Sequence, residues 1–394
     1  MSTSVQAATQ PRVQYAEKVA LASAAGHAEF DAYGRRFALS LQSNDRALNR
    51  LKAAHPQTLA GYRLWRGALD GQPGSWTRLT EHAGRFEGAN WDGRDLYVVA
   101  SYAQVANYLT TPMTAAPADT VVFRLSDTLD FLPKGYCATE PSTSGLAANN
   151  GLVQYRNLVA ELQVVASGPT QQIQIAMLAD SRLQTMLGDA LGQMVASYNI
   201  VDGIYAEQLK LLVLPEIMRL IPASDDPFTA TGGSALLAQI STYRQGHAEL
   251  AALGITHLFT GADLDGEAIG IARLSGACST ADAVSLTEGW YGGSMSAALI
   301  MAHEIGHNLG AEHDGAGACS SVPETFIMAP NLNGSTTFSQ CSVNAIKSFI
   351  GSASCVTPAS YAHVELPQGT GTLNGEVDTA IVLPYDISST GTRA

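Results

Sequence analysis

The segment MAHEIGHNLGAEHDG, residues 301–315, constrains this chain more than any other feature, because it places three histidines and a glutamate within eleven positions. Residues 294–310 have the composition of a helix that ends at Gly310, a residue that takes the positive φ of a helix end without steric cost. His303 and His307 are four residues apart, so both side chains project from the same face of this helix. The spacing therefore predicts a helix that presents two ligands to one metal ion.

A third ligand follows the turn at Gly310. His313 can return to the same ion, and three histidines are a typical Zn²⁺ ligand set that leaves a fourth position open, as in catalytic rather than structural zinc sites. Glu304 can reach a water molecule at that position without binding the metal. The alternative is chance clustering of the chain's nine histidines, but the added glycine and third histidine make chance rare. We predict one catalytic Zn²⁺ ion.

Composition excludes several other classes of protein. The chain has 394 residues, of which 46% are hydrophobic, so it is long enough for two ordinary domains. Its net charge is −13, which argues against nucleic acid as a partner because nucleic acid requires basic patches. No run of about 18 apolar residues is present, so we expect no membrane span. We also expect a monomer.

The chain divides into three regions by local pattern. Residues 1–168 are β-rich, with strand-like runs at 35–42, 95–103 and 120–127, and a polar segment near 138–151 that suits a linker. Residues 169–357 alternate strands and helices, which predicts an α/β fold with a mixed, mostly parallel sheet and the metal-binding helix. Residues 358–394 are rich in Gly and Thr, contain two strand-like runs and have no assigned role.

The zinc segment resembles the signature of metzincin metalloproteases, and Asp314 after it resembles the reprolysin (adamalysin/ADAM-like) branch. ETFIMAPN supplies the methionine turn of that clan, with Met328 beneath the metal. The resemblance extends over residues ~170–357 and implies a metzincin catalytic domain. It also implies that an edge strand at Gly270, Ile271 and Ala272, continuing to Arg273, binds extended substrate, and that Ala329 and Pro330 line the pocket for the residue after the cut.

The five cysteines fit the same resemblance. It implies disulfides between Cys319 and Cys341 and between Cys278 and Cys355, whereas Phe326 stands near the usual place of a third pair. Cys137 is left over. It is either an incidental thiol or a cysteine switch that binds zinc in the latent form. LPKGYCATE resembles the switch motif, although Gly135 and Tyr136 both precede the cysteine and no glycine follows it.

The resemblance thus implies a latent zinc endopeptidase. Glu304 would activate the zinc-bound water, protein or peptide substrates would be cut, and residues 1–168 would be an inhibitory pro-domain. The implied calcium site is left open because Gln174 stands near the place of the family's acid. Three alternatives are a catalytically silent binding or adhesion protein on a metzincin fold, a zinc-stabilised structural module, and a zinc amidohydrolase acting on small molecules.

The disulfides predict an oxidising compartment, and hence a secreted protein. The first 14 residues are neither basic nor apolar, so they do not form a signal peptide. Residues 18–30 hold the nearest candidate, but its run of small residues is broken early. We therefore expect that a signal peptide is absent from this form of the sequence.

Overall fold

The computed structural model describes residues 12–24, 26–44, 52, 59–129, 169–289, 293–359, 361–365 and 372–376. The chain forms two compact units, residues 1–359 and residues 360–394. None of the described helices is long and apolar enough to cross a membrane.

In its described residues, the N-terminal region forms an antiparallel sheet of nine strands, which we call the N-terminal sheet. Its strands lie in the order β2-β10-β9-β8-β7-β6-β5-β4-β3, and two further short strands, β1 and β11, pair with each other. The strands are β1 (Arg12–Val13), β2 (Glu17–Lys18), β3 (Ala22–Ala24), β4 (His27–Ala32), β5 (Arg35–Ser43), β6 (Arg63–Leu69), β7 (Trp76–His82), β8 (Arg85–Trp91), β9 (Leu96–Ser101), β10 (Thr120–Arg124) and β11 (Thr128–Leu129). A short helix, α1 (Tyr102–Val105), and a 3-10 turn (Leu125–Asp127) complete the region.

Alternating side chains give the N-terminal sheet a core of its own. In β4, buried and exposed residues alternate along the whole strand, as expected for a strand with one face on a core. Phe30 and Phe37 stack with ring centroids 4.6 Å apart, and Tyr97 meets Phe37 edge-on at 4.8 Å. The β4–β5 hairpin turns through Tyr33 and Gly34, both with positive φ, which is the geometry of a tight two-residue turn.

A second sheet follows, in the order β13-β12-β14-β16-β15, with β17 also paired to β12. Strands β13, β12, β14 and β16 are parallel to their neighbours, whereas β15 and β17 pair antiparallel. This is the mixed, mostly parallel sheet predicted for the region. Its strands are β12 (Gln171–Ala179), β13 (Leu211–Leu220), β14 (Ile255–Thr260), β15 (Gly270–Ala272), β16 (Val284–Glu288) and β17 (Val356–Pro358).

Helices cover both faces of the second sheet. They are α2 (Ser181–Leu187), α3 (Ala190–Leu209), α4 (Gly233–Gly246), α5 (Ala248–Ala251), α6 (Gly293–Asn308) and α7 (Gln340–Ile350), with a 3-10 turn at Gly317–Cys319. Alternate residues of β12 enter two different cores: Ile175 joins the core containing α3 and α6, and Leu178 joins the core containing α4. Strands of this sheet are therefore apolar on both sides.

Residues 183–207 have helical apolar spacing throughout, which predicts one long helix, but the structure divides them between two helices. Gly188 ends α2 with a left-handed φ of 69°, and the side chain of Asp189 accepts a hydrogen bond from the amide of Gly192 at the start of α3. A glycine and an N-capping acid next to each other divide a helix even where the apolar spacing continues.

Two disulfides close the second region. Cys278 is bonded to Cys355, and Cys319 is bonded to Cys341. Both pairs are those implied by the resemblance, which is therefore confirmed on this point. The first joins the loop after β15 to the segment before β17, and the second joins the loop after α6 to α7.

The C-terminal unit contains one described hairpin. Strands β18 (Tyr361–Glu365) and β19 (Thr372–Glu376) pair antiparallel. The role of residues 358–394 is not addressed by this hairpin, and the three-region division stays a prediction.

Candidate metal centre

The metal site is built on the last two turns of α6. Every residue of this helix from Ser294 onward is buried, so the helix is part of the core rather than a surface element. Gly310 follows the helix with a φ of 93°, and the carbonyl of Ala311 lies 2.7 Å from Nδ1 of His307. The chain thus turns back at once over the histidine face of the helix.

The three histidine rings converge on one point. Nε2 of His313 lies 3.2 Å from Nε2 of His303 and 3.1 Å from Nε2 of His307. Tetrahedral Zn²⁺ with bonds of about 2.0–2.1 Å to each nitrogen requires ligand atoms roughly 3.3 Å apart. The observed spacing matches that requirement. Among the described residues, these three are the one group of His, Cys, Asp or Glu side chains that could hold a metal ion.

Main-chain carbonyl groups orient two of the rings. Nδ1 of His303 lies 2.7 Å from the carbonyl oxygen of Ile327, and Nδ1 of His307 makes the equivalent contact with Ala311. When Nδ1 carries the proton and donates to a carbonyl, Nε2 has a lone pair for the metal. The short contacts between Nε2 atoms are therefore ligand spacing rather than hydrogen bonds.

Burial keeps the histidines neutral, the form that binds a metal. It lowers the pKa of His307 to about 4 and that of His313 to about 3, where the neighbouring His307 acts in the same direction. The pKa of His303 is lowered as well, first by burial and then by the other two rings. Neutral imidazoles have a free lone pair for a divalent cation and no positive charge that would repel it.

Glu304 follows the first histidine ligand on α6 and is fully buried. The edge strand β15 approaches it so closely that a Cβ added to Gly270 would lie 2.5 Å from Oε1 of Glu304. Glycine is therefore required at this point for the carboxylate to keep its position. The family resemblance predicts that Gly270 lies on the substrate-binding strand, but it gives no sign of this contact with Glu304.

Met328, the residue predicted for the methionine turn, packs against the zinc helix at Gly306, which lies between His303 and His307 in the sequence. It is fully buried, and a Cβ added to Gly306 would lie 2.7 Å from its sulfur. The preceding residue, Ile327, supplies the carbonyl that orients His303. The turn therefore both packs against the zinc helix and aligns one of its ligands.

A family model described as Reprolysin (M12B) family zinc metalloprotease matches residues 173–357, which include every element of this site. This region belongs to the reprolysin family. The chain is also 38% identical over 95 residues to the snake venom metalloproteinase acutolysin-C and 37% identical over 95 residues to the snake venom metalloproteinase H5, both of Deinagkistrodon acutus. Each match covers 24% of this chain and 22% or 23% of the relative, so the chain spans less than a quarter of the length of these curated relatives.

In the reprolysin region, Asp314 ties the third ligand to the rest of the site. Its amide donates to the carbonyl of Met328 at 2.9 Å, and its carboxylate accepts from Oγ of Ser339 at 2.6 Å. Burial raises the pKa of Asp314 to about 6, against the hydrogen bonds from Ser339 and Ser342. The residue after His313 thus connects the zinc helix, the methionine turn and α7.

The strand predicted to bind extended substrate is β15 of the reprolysin region. Gly270, Ile271 and Ala272 pair with β16 and form the end of the sheet among the described strands. Asn308, the last residue of α6, donates to the carbonyl of Arg273 at 3.0 Å and fastens this strand to the zinc helix. Sequence reasoning missed Asn308, because an amide inside the metal motif gives no sign of a partner 35 positions earlier.

The remaining predicted residues are placed as follows. Ala329 is buried in the methionine turn, where its amide donates to the carbonyl of Phe326, and Pro330 is half-buried beside it. Nε2 of Gln174 donates to Oε1 of Glu216 at 2.8 Å, so an amide–carboxylate pair occupies the position considered for calcium. Cys137 lies outside the described residues.

Proposed function

We propose that this chain is a zinc-dependent endopeptidase. One observation carries the proposal: the Nε2 atom of His313 lies 3.1–3.2 Å from those of His303 and His307, and the buried Glu304 stands on the same helix, next to the first of these ligands. The reprolysin match over the same residues supports it. A silent binding protein or a purely structural zinc site has no need of a buried acid directly after the first of three histidine ligands.

His303, His307 and His313 would hold the ion. When bound, zinc acts as a Lewis acid that polarises the scissile carbonyl and lowers the pKa of a water molecule towards neutrality. The role of Glu304 is general base and then general acid: it takes a proton from the attacking water and delivers it to the leaving amine nitrogen. Because Glu304 is buried against β15, its carboxylate is held in place before substrate arrives.

Extended peptides are the proposed substrates. The free edge of β15 can add a substrate strand through main-chain hydrogen bonds, which favours polypeptide over small amides. Gly270, Ile271 and Ala272 would bind that strand, and Ala329 with Pro330 would line the pocket for the residue after the cut. The half-buried position of Pro330 is compatible with this role.

The proposal includes latency and secretion. The N-terminal region would be a pro-domain, and Cys137 would occupy the fourth zinc position until processing. Two disulfides support maturation in an oxidising compartment, and hence a secreted protein.

The experiment that tests the activity compares the processed parent with Glu304→Ala on an unfolded protein and on small amides, with zinc content measured in both. The expected result is cleavage of the protein by the parent alone, with a loss of roughly 10²–10⁴-fold in the variant. Glu249→Ala, an exposed acid on α5, is the matched control. Equal turnover with and without Glu304, or a preference for small amides, would reject the peptidase mechanism.

A further inference from the structure

Helix α3 is unusual in being enclosed on all sides. Eighteen of its 20 residues are buried, all except Gly192 and Glu207. One side packs against β13 and α6, where Oη of Tyr205 donates to the carbonyl of Ala302 at 2.7 Å. The opposite side is covered by β7 and β8 of the N-terminal sheet. A helix that is buried on every side needs both packing partners to keep its side chains away from solvent.

Buried polar side chains set the register between the sheet and α3. Nδ2 of Asn199 donates to the carbonyl of Leu79 in β7 at 3.0 Å. Asn44, which follows β5, donates to Oδ1 of Asn199 at 2.9 Å and to Oδ2 of Asp202 at 3.2 Å. The three polar side chains are at most 2% exposed. Such a network specifies one arrangement, because any shift leaves buried polar atoms without partners.

Arg78 fits over the one glycine at the centre of this face. A Cβ added to Gly203 would lie 2.9 Å from Nε and 3.0 Å from Cγ of Arg78. The same guanidinium lies 3.5 Å from Oε1 of Glu207, one turn further along α3. Arg78 is only 3% exposed, so its positive charge is buried against α3. A buried charge needs a partner, and Glu207 of the same helix provides one.

Two further hydrogen bonds extend the interface to the start of α3 and to the start of α6. Oη of Tyr62 donates to Oδ1 of Asp189, the N-cap of α3, at 3.3 Å. Oγ of Ser294, at the start of α6, donates to Oε2 of Glu87 in β8 at 3.2 Å. Apolar side chains of the sheet and of α3 belong to one continuous core that includes Leu64, Trp76, Ala89, Val98, Met194, Val195 and Tyr198.

This interface lies away from the catalytic cleft. Ser294 precedes His303 by nine residues of α6, which is about 14 Å along the helix axis. The contacts with α3 and with the beginning of α6 therefore cover the back of the reprolysin region.

We propose that the N-terminal sheet is a lasting partner of α3 and stays bound after the chain is cut between residues 130 and 168. The inference deepens the processing step of the proposed function, but it does not depend on peptidase activity. The active form is then a two-piece complex, in which the sheet stays on α3 after Cys137 has lost its proposed hold on zinc. Loss of the sheet would expose the covered face of α3 to water, including core side chains and the buried amide of Asn199.

The test uses the full chain in a Glu304→Gln background, so that self-digestion plays no part. A recognition sequence for a site-specific protease is inserted between residues 142 and 143, the chain is cut, and the two pieces are followed by size-exclusion chromatography at micromolar concentration. We expect the pieces to co-elute as one species of the uncut size. Separation of the pieces under native conditions would overturn the proposal.

Matched glycine variants locate the interface. Gly203→Leu forces a side chain into Arg78, whereas Gly246→Leu adds one where no atom lies within 4 Å. We expect the cut Gly203→Leu pieces to dissociate at least roughly tenfold faster than the parent and Gly246→Leu to match it. If Gly203→Leu fails to fold, Arg78→Met gives the same reading from the sheet side. Co-elution that is indifferent to both Gly203→Leu and Arg78→Met would also overturn the proposal.

Discussion

At the metal centre, single main-chain atoms determine the orientation of the ligands. Two ligand histidines depend on the carbonyl groups of Ile327 and Ala311, one from the methionine turn and one from the helix end. These acceptors are main-chain atoms, so the identity of the side chains at both positions matters less than the path of the chain. A loop that changes course here would rotate an imidazole away from the metal even with all ligands intact.

Gly270 controls the position of Glu304, and its replacement is expected to lower kcat. The Cβ of Gly270→Ala would lie 2.5 Å from Oε1 of Glu304 and 2.6 Å from Cγ2 of Ile300, so the carboxylate or the strand must move. A displacement of about 1 Å at a catalytic group costs on the order of 100-fold in rate. Steady-state kinetics on a peptide should show a lower kcat and an altered pH profile, with zinc content unchanged.

Gly233→Ala is the matched control for that measurement. An added Cβ at this position meets Ile271 of the same edge strand at 3.7 Å, an ordinary contact. We expect its kcat to equal that of the parent. If Gly270→Ala kept the parental kcat and pH profile, the close approach of β15 would have no role in positioning the base.

The end of β16 carries a buried acid outside the active chemistry, and it should make stability depend on pH. Burial raises the pKa of Glu288 to about 8, with Asp263 acting in the same direction and the hydrogen bond from the amide of Leu264 opposing both. The folded state therefore holds a proton that the unfolded state releases near pH 4.5. Because the folded state binds more protons over this range, the free energy of unfolding must fall as the pH rises from about 5 to 8.

Glu288→Gln removes this dependence while keeping an acceptor for Leu264. Thermal unfolding of zinc-free protein at pH 5.5 and pH 8 should show the variant gaining several degrees relative to the parent at the higher pH, at about 2–4 °C per kcal/mol. Glu267→Gln, at an exposed position, should follow the parent. An equal difference between parent and Glu288→Gln at both pH values would contradict the raised pKa.

At the scale of elements, residue spacing predicted the zinc helix and its end, but it did not predict contacts between segments that are distant in the sequence. The helix with His303 and His307 follows from a four-residue spacing, and the turn at Gly310 follows from its glycine. The break between α2 and α3 was missed because apolar spacing continues through Gly188. The link from Asn308 to Arg273 and the approach of Gly270 to Glu304 depend on sheet register, which no local pattern in this chain contains.

At the scale of the whole molecule, the two disulfides and the interface at α3 stabilise different parts of the chain. Both disulfides lie within the reprolysin region, whereas the N-terminal sheet is attached by an apolar core and by side chains such as Asn44 and Arg78. Reduction would therefore loosen the loops around the zinc site before it affects the sheet.

Latency is a property of the whole chain, and Cys137 is the residue proposed to carry it. The two disulfides use the other four of the five cysteines, which leaves one thiol for the fourth zinc position. Because a thiolate is a strong zinc ligand, the unprocessed Cys137→Ala chain should cleave a peptide roughly tenfold or more faster than the unprocessed parent. The two should be equally active after processing. Equal activity of both unprocessed chains would show that another part of the N-terminal region, or none, restrains the enzyme.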